Sequence, residues 1–396
     1  MNKNRWMMVG LFAGISVMAV AQEGTSAVAA SKEDTSGWKF GPFIGGSCTY
    51  DDNVDSMKNG REDAYFQYSL GTDLLKKTDT IHSSSRVWFA DRFYDDSSDM
   101  DSNRWGGSSV LEIFSDKSFF SGVVDFREVS DSDDAPAAGA VPSGFSGVAD
   151  PAFDRSDTAQ QRDLFNFGLT AGHQLTDDTA FSVGYGFYKI DYQTGMEEDW
   201  FENSIATEWS LRLTDKTVSY MNAEYALQNG DGAPDDSETT TVRLGLKNKL
   251  TDKSSVRVGV GAVRYDGENT SKTKPSFEVE ALWDATEKVS FFVHGKNKIQ
   301  PTGTGGNVEM SSRAAAGGRY QMTPELGFIL GGAYIYDEQL DGAKDKSRRK
   351  IATARIEYSM NSGLDLYASG EVSGTGEDAA ADYSRFRGVV GAKFVF

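Results

Sequence analysis

From Trp38 onward the chain is a succession of short segments in which apolar and polar residues alternate at period two. That period marks strands with one apolar face. Phe181, Val183, Tyr185 and Phe187 interleave with Ser182, Gly184 and Gly186. Val256, Val258, Val260 and Ala262 alternate with Arg257, Gly259 and Gly261, and Leu326, Phe328, Leu330, Gly332 and Tyr334 form a third series. No stretch carries a helical stripe. A Thr/Ser-Asp-Lys-like punctuation recurs at Thr78-Asp79, Ser115-Asp116-Lys117, Thr176-Asp177-Asp178 and Thr214-Asp215-Lys216. It returns at Thr251-Asp252-Lys253, Thr286-Glu287-Lys288, Thr323-Pro324-Glu325 and Asn361-Ser362-Gly363. Most neighbouring turns lie about 35 to 39 residues apart, one hairpin plus its far connection. The gap between Ser115 and Thr176 is longer and holds an Ala/Gly/Ser/Asp insert near 131–160.

The period predicts strands over 38–50, 63–75, 80–94, 104–115, 118–129, 162–175, 179–192, 201–213 and 217–228. It continues with 238–250, 254–265, 274–285, 289–299, 307–322, 325–337, 347–360, 364–373 and 383–396. The connections opposite the tight turns are longer and acidic, as at Asp95 to Asn103, Gly195 to Asp199, Gly230 to Asp236, Asp337 to Asp345 and Gly374 to Asp382. Tight turns at one end and long loops at the other are what a transmembrane barrel requires. Eight tight turns pair sixteen strands, and one more at each end gives eighteen. Misreading the first hairpin or the 104–129 hairpin would give sixteen. The expected fold is all-β, a transmembrane antiparallel up-and-down barrel in one domain over 38–396.

Backbone groups in hydrocarbon must all be paired, so a sheet spans a membrane only as a closed cylinder. Its outward face must be apolar; its inward face is free to be polar. On the last strand Phe386, Gly388, Val390, Ala392, Phe394 and Phe396 share one face, and Arg385, Arg387 and Lys393 the other. A charge facing lipid at the midplane costs about 2–4 kcal/mol, so the basic set must point inward. By the same rule Met310, Ser312, Ala314, Ala316, Gly318, Tyr320 and Met322 face outward, with Arg313 and Arg319 inward. Asp91 falls on the outward side, which predicts a bulge or a strand end there. A soluble sandwich would also alternate, but would more often bury charge-free strands on both faces.

Composition narrows the setting. Of 396 residues, 39% are hydrophobic, with 42 Gly, 8 Pro and 1 Cys. A mean hydropathy of −0.46 excludes a polytopic helical membrane protein, which needs several apolar runs of about 18 residues or more. One cysteine excludes a disulfide framework; Cys48 reads as an apolar wall residue. Residues 1–21 have a basic start (Lys3, Arg5), an apolar stretch to Val20 and a small-residue Ala19-Val20-Ala21 site. This is the pattern of a cleaved export signal, and residues 22–37 read as a flexible lead-in. Removing Lys3 and Arg5 from the 40 basic residues leaves 38 against 59 acidic, a net charge of −21. Nucleic acid is not an expected partner of so acidic a chain.

The inward positions carry the candidate chemistry. Arg243, Lys247, Arg257, Lys296, Lys298, Arg313 and Arg319 occur with Glu224, Glu278, Glu280 and Asp284. They can form a transverse field that selects among polar solutes, or pair across strands and only satisfy one another in a wet interior. The outer-loop acids Asp95, Asp96, Asp99, Asp101, Asp131, Asp133, Asp134, Asp231, Asp235 and Asp236 match no calcium-loop spacing. Solvated acidity is the favoured reading; holding Ca²⁺, or bridging lipopolysaccharide phosphates through divalent cations, is the alternative. No metal, cofactor or catalytic residue is expected. His173 lies on the outward face beside no obvious serine, His82 precedes Ser83, Ser84 and Ser85 on alternating faces, and His294 is a lone strand histidine. Gly144-Phe145-Ser146-Gly147 misses the nucleophile-elbow spacing, and Gly303-Thr304-Gly305-Gly306 precedes a strand, so it is no phosphate cradle. Trp38, Tyr50, Phe66, Tyr68, Trp105, Tyr192, Trp209, Trp283, Tyr320, Tyr336 and Phe396 recur near strand ends, where aromatic girdles belong.

Two short motifs carry resemblances. The terminal strand Gly391-Ala392-Lys393-Phe394-Val395-Phe396 resembles the signal that the barrel-assembly machinery reads in Gram-negative outer-membrane proteins. Thr49-Tyr50-Asp51-Asp52-Asn53-Val54 resembles the opening of the putative β-barrel porin type 2 family, some members of which accompany exopolysaccharide-export genes. That family usually follows the run with a hydrophobic-basic pair, whereas Val54 here precedes Asp55. A barrel of this size leaves an aqueous channel. The expected function is therefore passive diffusion of small hydrophilic solutes across the outer membrane by a porin-like protein, reached by Sec export. The expected surroundings are outer-membrane lipid and lipopolysaccharide, with a homotrimer left open. Polysaccharide export or assembly, and a loop-plugged adhesive barrel, are the alternatives.

Overall fold

The structure is a computed structural model that describes residues 35–53, 60–97, 101–130, 161–192, 199–230, 237–267, 270–301, 308–340, 346–360, 363–377 and 383–396. The export segment, most of the lead-in, the 131–160 insert and the Gly144–Gly147 and Gly303–Gly306 motifs lie outside the described residues.

Eighteen strands follow one another: Thr35–Asp51 (β1), Asp63–Lys77 (β2), Ile81–Tyr94 (β3), Ser102–Phe114 (β4), Ser118–Ser130 (β5) and Gln161–Gln174 (β6). Next are Thr179–Tyr192 (β7), Trp200–Arg212 (β8), Thr217–Gly230 (β9), Ser237–Thr251 (β10), Ser254–Asp266 (β11) and Ser271–Asp284 (β12). The series ends with Val289–Pro301 (β13), Val308–Gln321 (β14), Leu326–Gln339 (β15), Lys346–Ser359 (β16), Leu364–Glu377 (β17) and Tyr383–Val395 (β18). The first strand begins at Thr35, three residues before the alternation becomes regular. Each strand pairs antiparallel with its sequence neighbours, and β1 pairs β18 from Phe43 opposite Val395 to Asp51 opposite Arg387. The sheet is closed, which removes the free edges of an open sheet. The count is eighteen, not sixteen.

The recurrent threonine now has a physical role. In the β9-entry turn the Thr214 hydroxyl accepts the N–H groups of Lys216 (3.2 Å) and Thr217 (3.0 Å). Thr78, Thr176 and Thr323 do the same for the residues two and three positions on. The side chain thus takes up turn N–H groups that have left the ladder. The last turn uses glycine instead: Gly363 has φ of +81°, and a Cβ there would strike the Val395 carbonyl oxygen.

The cylinder is apolar outside. Val260, Leu330 and Val390 are 63%, 63% and 64% exposed at mid-strand, while Arg92, Arg313 and Arg385 are buried on the inward face. Trp38, Trp105, Trp209, Trp283, Tyr320 and Phe396 are exposed on the outward side. Tyr192 departs from the expected girdle: it shares a face with Ile190 and packs inward on Leu164 and Ile190. Asp91 does lie on the outward face, but the β2–β3 register runs through it without a bulge. Its carboxylate accepts the Tyr68 hydroxyl close to the strand end, which supplies the partner that lipid cannot.

Candidate functional site

Alternation fixes which side chains share the lumen. On β8 to β13 the inward rows bring Glu208, Tyr220, Lys247, Arg257 and Glu278 into one mesh. Lys247 Nζ lies 2.5 Å from Glu208, and Arg257 reaches Glu208 at 3.1 Å and Glu278 at 2.7 Å. The Arg257 guanidinium stacks on the Tyr220 ring, 4.1 Å from its centre, and the Tyr220 hydroxyl donates to Glu278. Three strand spacings, about 14 Å of wall, separate β8 from β11. Arginine and glutamate together span that only by lying flat along the inner surface. Glu280 stands opposite Arg257 and His294, and Lys296 opposite Glu278 and Arg313. Arg319 stands opposite Ser290 and Ile329. All eleven residues singled out on β9 to β14 alternate onto the inward face. Of the two readings weighed for them, mutual pairing describes Lys247, Arg257 and Glu278.

The wall away from β9 to β14 carries inward charges beyond Arg385, Arg387 and Lys393 of the last strand. Arg86 makes a two-point pair with Asp73 at 2.6 and 2.8 Å. Arg104 donates to Gln67 at 2.5 Å, and Arg355 pairs with Glu357 at 2.7 Å while covering Tyr367. Arg92 lies 4.4 Å over Tyr65 and donates to the Tyr94 hydroxyl at 3.1 Å. The same period-two rule places these residues inward, so the signal was available. Both walls are arginine-bearing, and both carry acidic partners.

The outer ends of β13, β14 and β15 break the pattern. Pairing of β12 with β13 stops at Glu278 opposite Lys296, although β11 holds β12 out to Ser271. Beyond that point Asn297, Ile299, Val308 and Met310 are buried although they alternate onto the outward face. Ile299, Val308 and Met310 pack with Leu340 against Val263 and Tyr265, which belong to the inward face of β11. The outer face of one part of the sheet therefore lies on the inner face of another: these strand ends curl into the mouth. Met310 was expected to face outward; the curl places it in this seam. Asn297 replaces the missing rung. Its amide donates to the Pro275 carbonyl (2.8 Å) and its oxygen accepts the Phe277 N–H (2.9 Å).

The opening motif is used at the barrel seam. Asp51 is fully buried and accepts from Arg385 of the last strand. Asp52 accepts the Phe386 N–H at 2.6 Å, and Asn53 donates to the Ser384 carbonyl at 3.4 Å. The histidines stand apart from one another. Contrary to the expectation from sequence, His173 does have a serine beside it: Ser118 Oγ is 2.7 Å from its Nδ1, on the outward face at the tight-turn rim. His82 is 3.5 Å from Glu112. Among the outer-loop acids, Asp101 accepts the Tyr94 N–H at 2.7 Å, while Asp99 and the clusters at 131–134 and 231–236 lie outside the described residues. Cys48 is exposed on the wall.

No protein-family model matches the chain, and no curated protein matches it. Among solved structures, OccAB4 of Acinetobacter baumannii is similar with a TM-score of 0.47 and 12% identity, over 90% of this chain and 98% of that one. OpdQ of Pseudomonas aeruginosa gives 0.47 and 11%, over 91% and 99%. OprD of the same organism gives 0.45 and 12%, over 93% and 98%. The fold rests on the chain's own strand pairing, not on these likenesses.

Proposed function

We propose that the chain is a porin-like channel of the outer membrane through which small hydrophilic solutes diffuse without a catalytic step. One observation carries the reading: an eighteen-strand cylinder is sealed all round, with Val260, Leu330 and Val390 outside and rows of charged side chains inside. Only a bilayer accepts that exterior, and only water accepts that interior. Arg243, Lys247, Arg257, Glu278, Glu280, Lys296, Arg313 and Arg319 would line the water path. Their mutual compensation favours weak ion selectivity over a strong preference. Phe394 and Phe396, packed edge-on at 4.7 Å on the outward face, suit a docking signal for the assembly machinery. The tight-turn rim then faces the periplasm, and the long acidic connections meet lipopolysaccharide and the exterior. The resemblance to exopolysaccharide-locus barrels does not extend the proposal to export, because its Asp51-Asp52-Asn53 run is engaged in closing the seam. Reconstitution of the purified barrel in planar bilayers tests the reading. Steady, ohmic unitary currents are expected; a folded barrel that stays silent would overturn it.

A further inference from the structure

The curled strand ends have a second attachment, farther round the same wall. Lys298 of β13 points inward and its Nζ lies 2.9 Å from Glu202 of β8. Glu202 is buried and also accepts the Gln228 side-chain amide at 2.7 Å. Five strand spacings lie between β8 and β13, about 24 Å along the wall. A lysine and a glutamate cannot bridge that distance together from the wall itself. The contact exists only because β13 has left β12 and lies over the inner face of β10 and β11.

The local chemistry allows that departure. Pro275 directs its backbone toward the vacated side of β12, since its carbonyl accepts from Asn297 there. In an antiparallel strand a residue's N–H and C=O point the same way, so proline lacks its donor where no strand waits to receive it. Just before the departure, a Cβ on Gly295 would meet Val279 at 3.0 Å and the Arg313 carbonyl oxygen at 3.3 Å. Glycine lets the strands approach at the point where β13 turns.

Resting on the channel reading above, we propose that Lys298 and Glu202 are the residues that set the clearance of the pore. Their ion pair ties the inward-curled ends of β13 to β15 to β8 inside the outer mouth as a fixed bar, and solutes pass beside it. The size limit is thus set by wall strands that this salt bridge holds on their β8 side and the Lys274–Glu338 pair (3.2 Å) holds on the β12 side. Releasing the bridge frees the bar on its β8 side, while its apolar seam on Val263 and Tyr265 and the Lys274–Glu338 pair hold the other side.

The test compares unitary conductance and liposome-swelling rates with a graded series of neutral sugars. The proteins are wild type, Lys298→Met, Glu202→Gln and the charge swap Glu202→Lys with Lys298→Glu, each checked for folding by heat-modifiable gel mobility. Glu202→Gln keeps the side-chain volume and an acceptor for the Gln228 amide, which makes it the milder of the two single variants. The expected result is a conductance roughly twofold higher in each single variant, faster entry of the larger sugars, and recovery of wild-type values in the swap. Wild-type conductance and sugar cut-off in folded single variants would overturn the assignment and leave the channel reading intact. A folded wild-type barrel that passes neither ions nor sugars would overturn both.

Discussion

Asp51 is a residue whose worth depends on a partner 334 positions away. A fully buried carboxylate is tolerable only when its charge is met, and Arg385 meets it with Nε at 2.9 Å from both oxygens. Removing one member leaves the other charge stranded, a loss of about 3–5 kcal/mol. Asp51→Asn is therefore expected to lower the unfolding free energy of the barrel by an amount of that order, seen as a lower urea midpoint, and Arg385→Gln in the same protein to recover part of it. Equilibrium unfolding from detergent micelles checks both. The Tyr-Asp-Asp-Asn run stood out in the sequence, but its partner did not. Alternation put Arg385 on an inward face, and nothing local paired it with the first strand. The same limit applied to Ser118 and His173, neighbours across two strands and 55 residues apart in the chain.

At the level of the element, strands and turns were readable because their causes are local. Period two follows from a wall with two different sides, and the repeated threonine follows from turn N–H groups that need an acceptor. Thr214→Val keeps the shape and removes that acceptor, so the β8–β9 hairpin should lose about 0.5–1.5 kcal/mol, measured as a shifted unfolding midpoint with an unchanged slope. The curl of β13, β14 and β15 was not readable. Ile299 and Met310 alternate correctly for an outward face, and a strand that bends inward carries the same pattern as one that stays in the wall. Two local clues pointed the other way: Asn297 on an outward register, and Pro275 facing it on β12. Each is a weak signal alone, since either could mark an ordinary strand end.

For the whole molecule the governing contrast is between an oily outside and a wet inside. Val260 lies midway along β11, beside Leu244 of β10, and both are exposed. Val260→Arg should cost about 2–4 kcal/mol in a bilayer, and Arg257, three residues away on the other face, costs nothing comparable because it is met by Glu208 and Glu278. Folding titrations into lipid vesicles read the difference; equal stability of Val260→Arg and wild type would contradict the inside-outside assignment of the whole cylinder.

Because β1 and β18 run antiparallel where they meet, the ring can hold only an even number of staves. Duplicating or deleting a complete hairpin preserves every residue's orientation downstream. Gaining or losing a single stave would set the first and last side by side in the same direction and force one of the seams to be rebuilt. Barrels of this construction are therefore free to widen or narrow over evolutionary time in steps of two, with the Thr-Asp turn as the point of duplication.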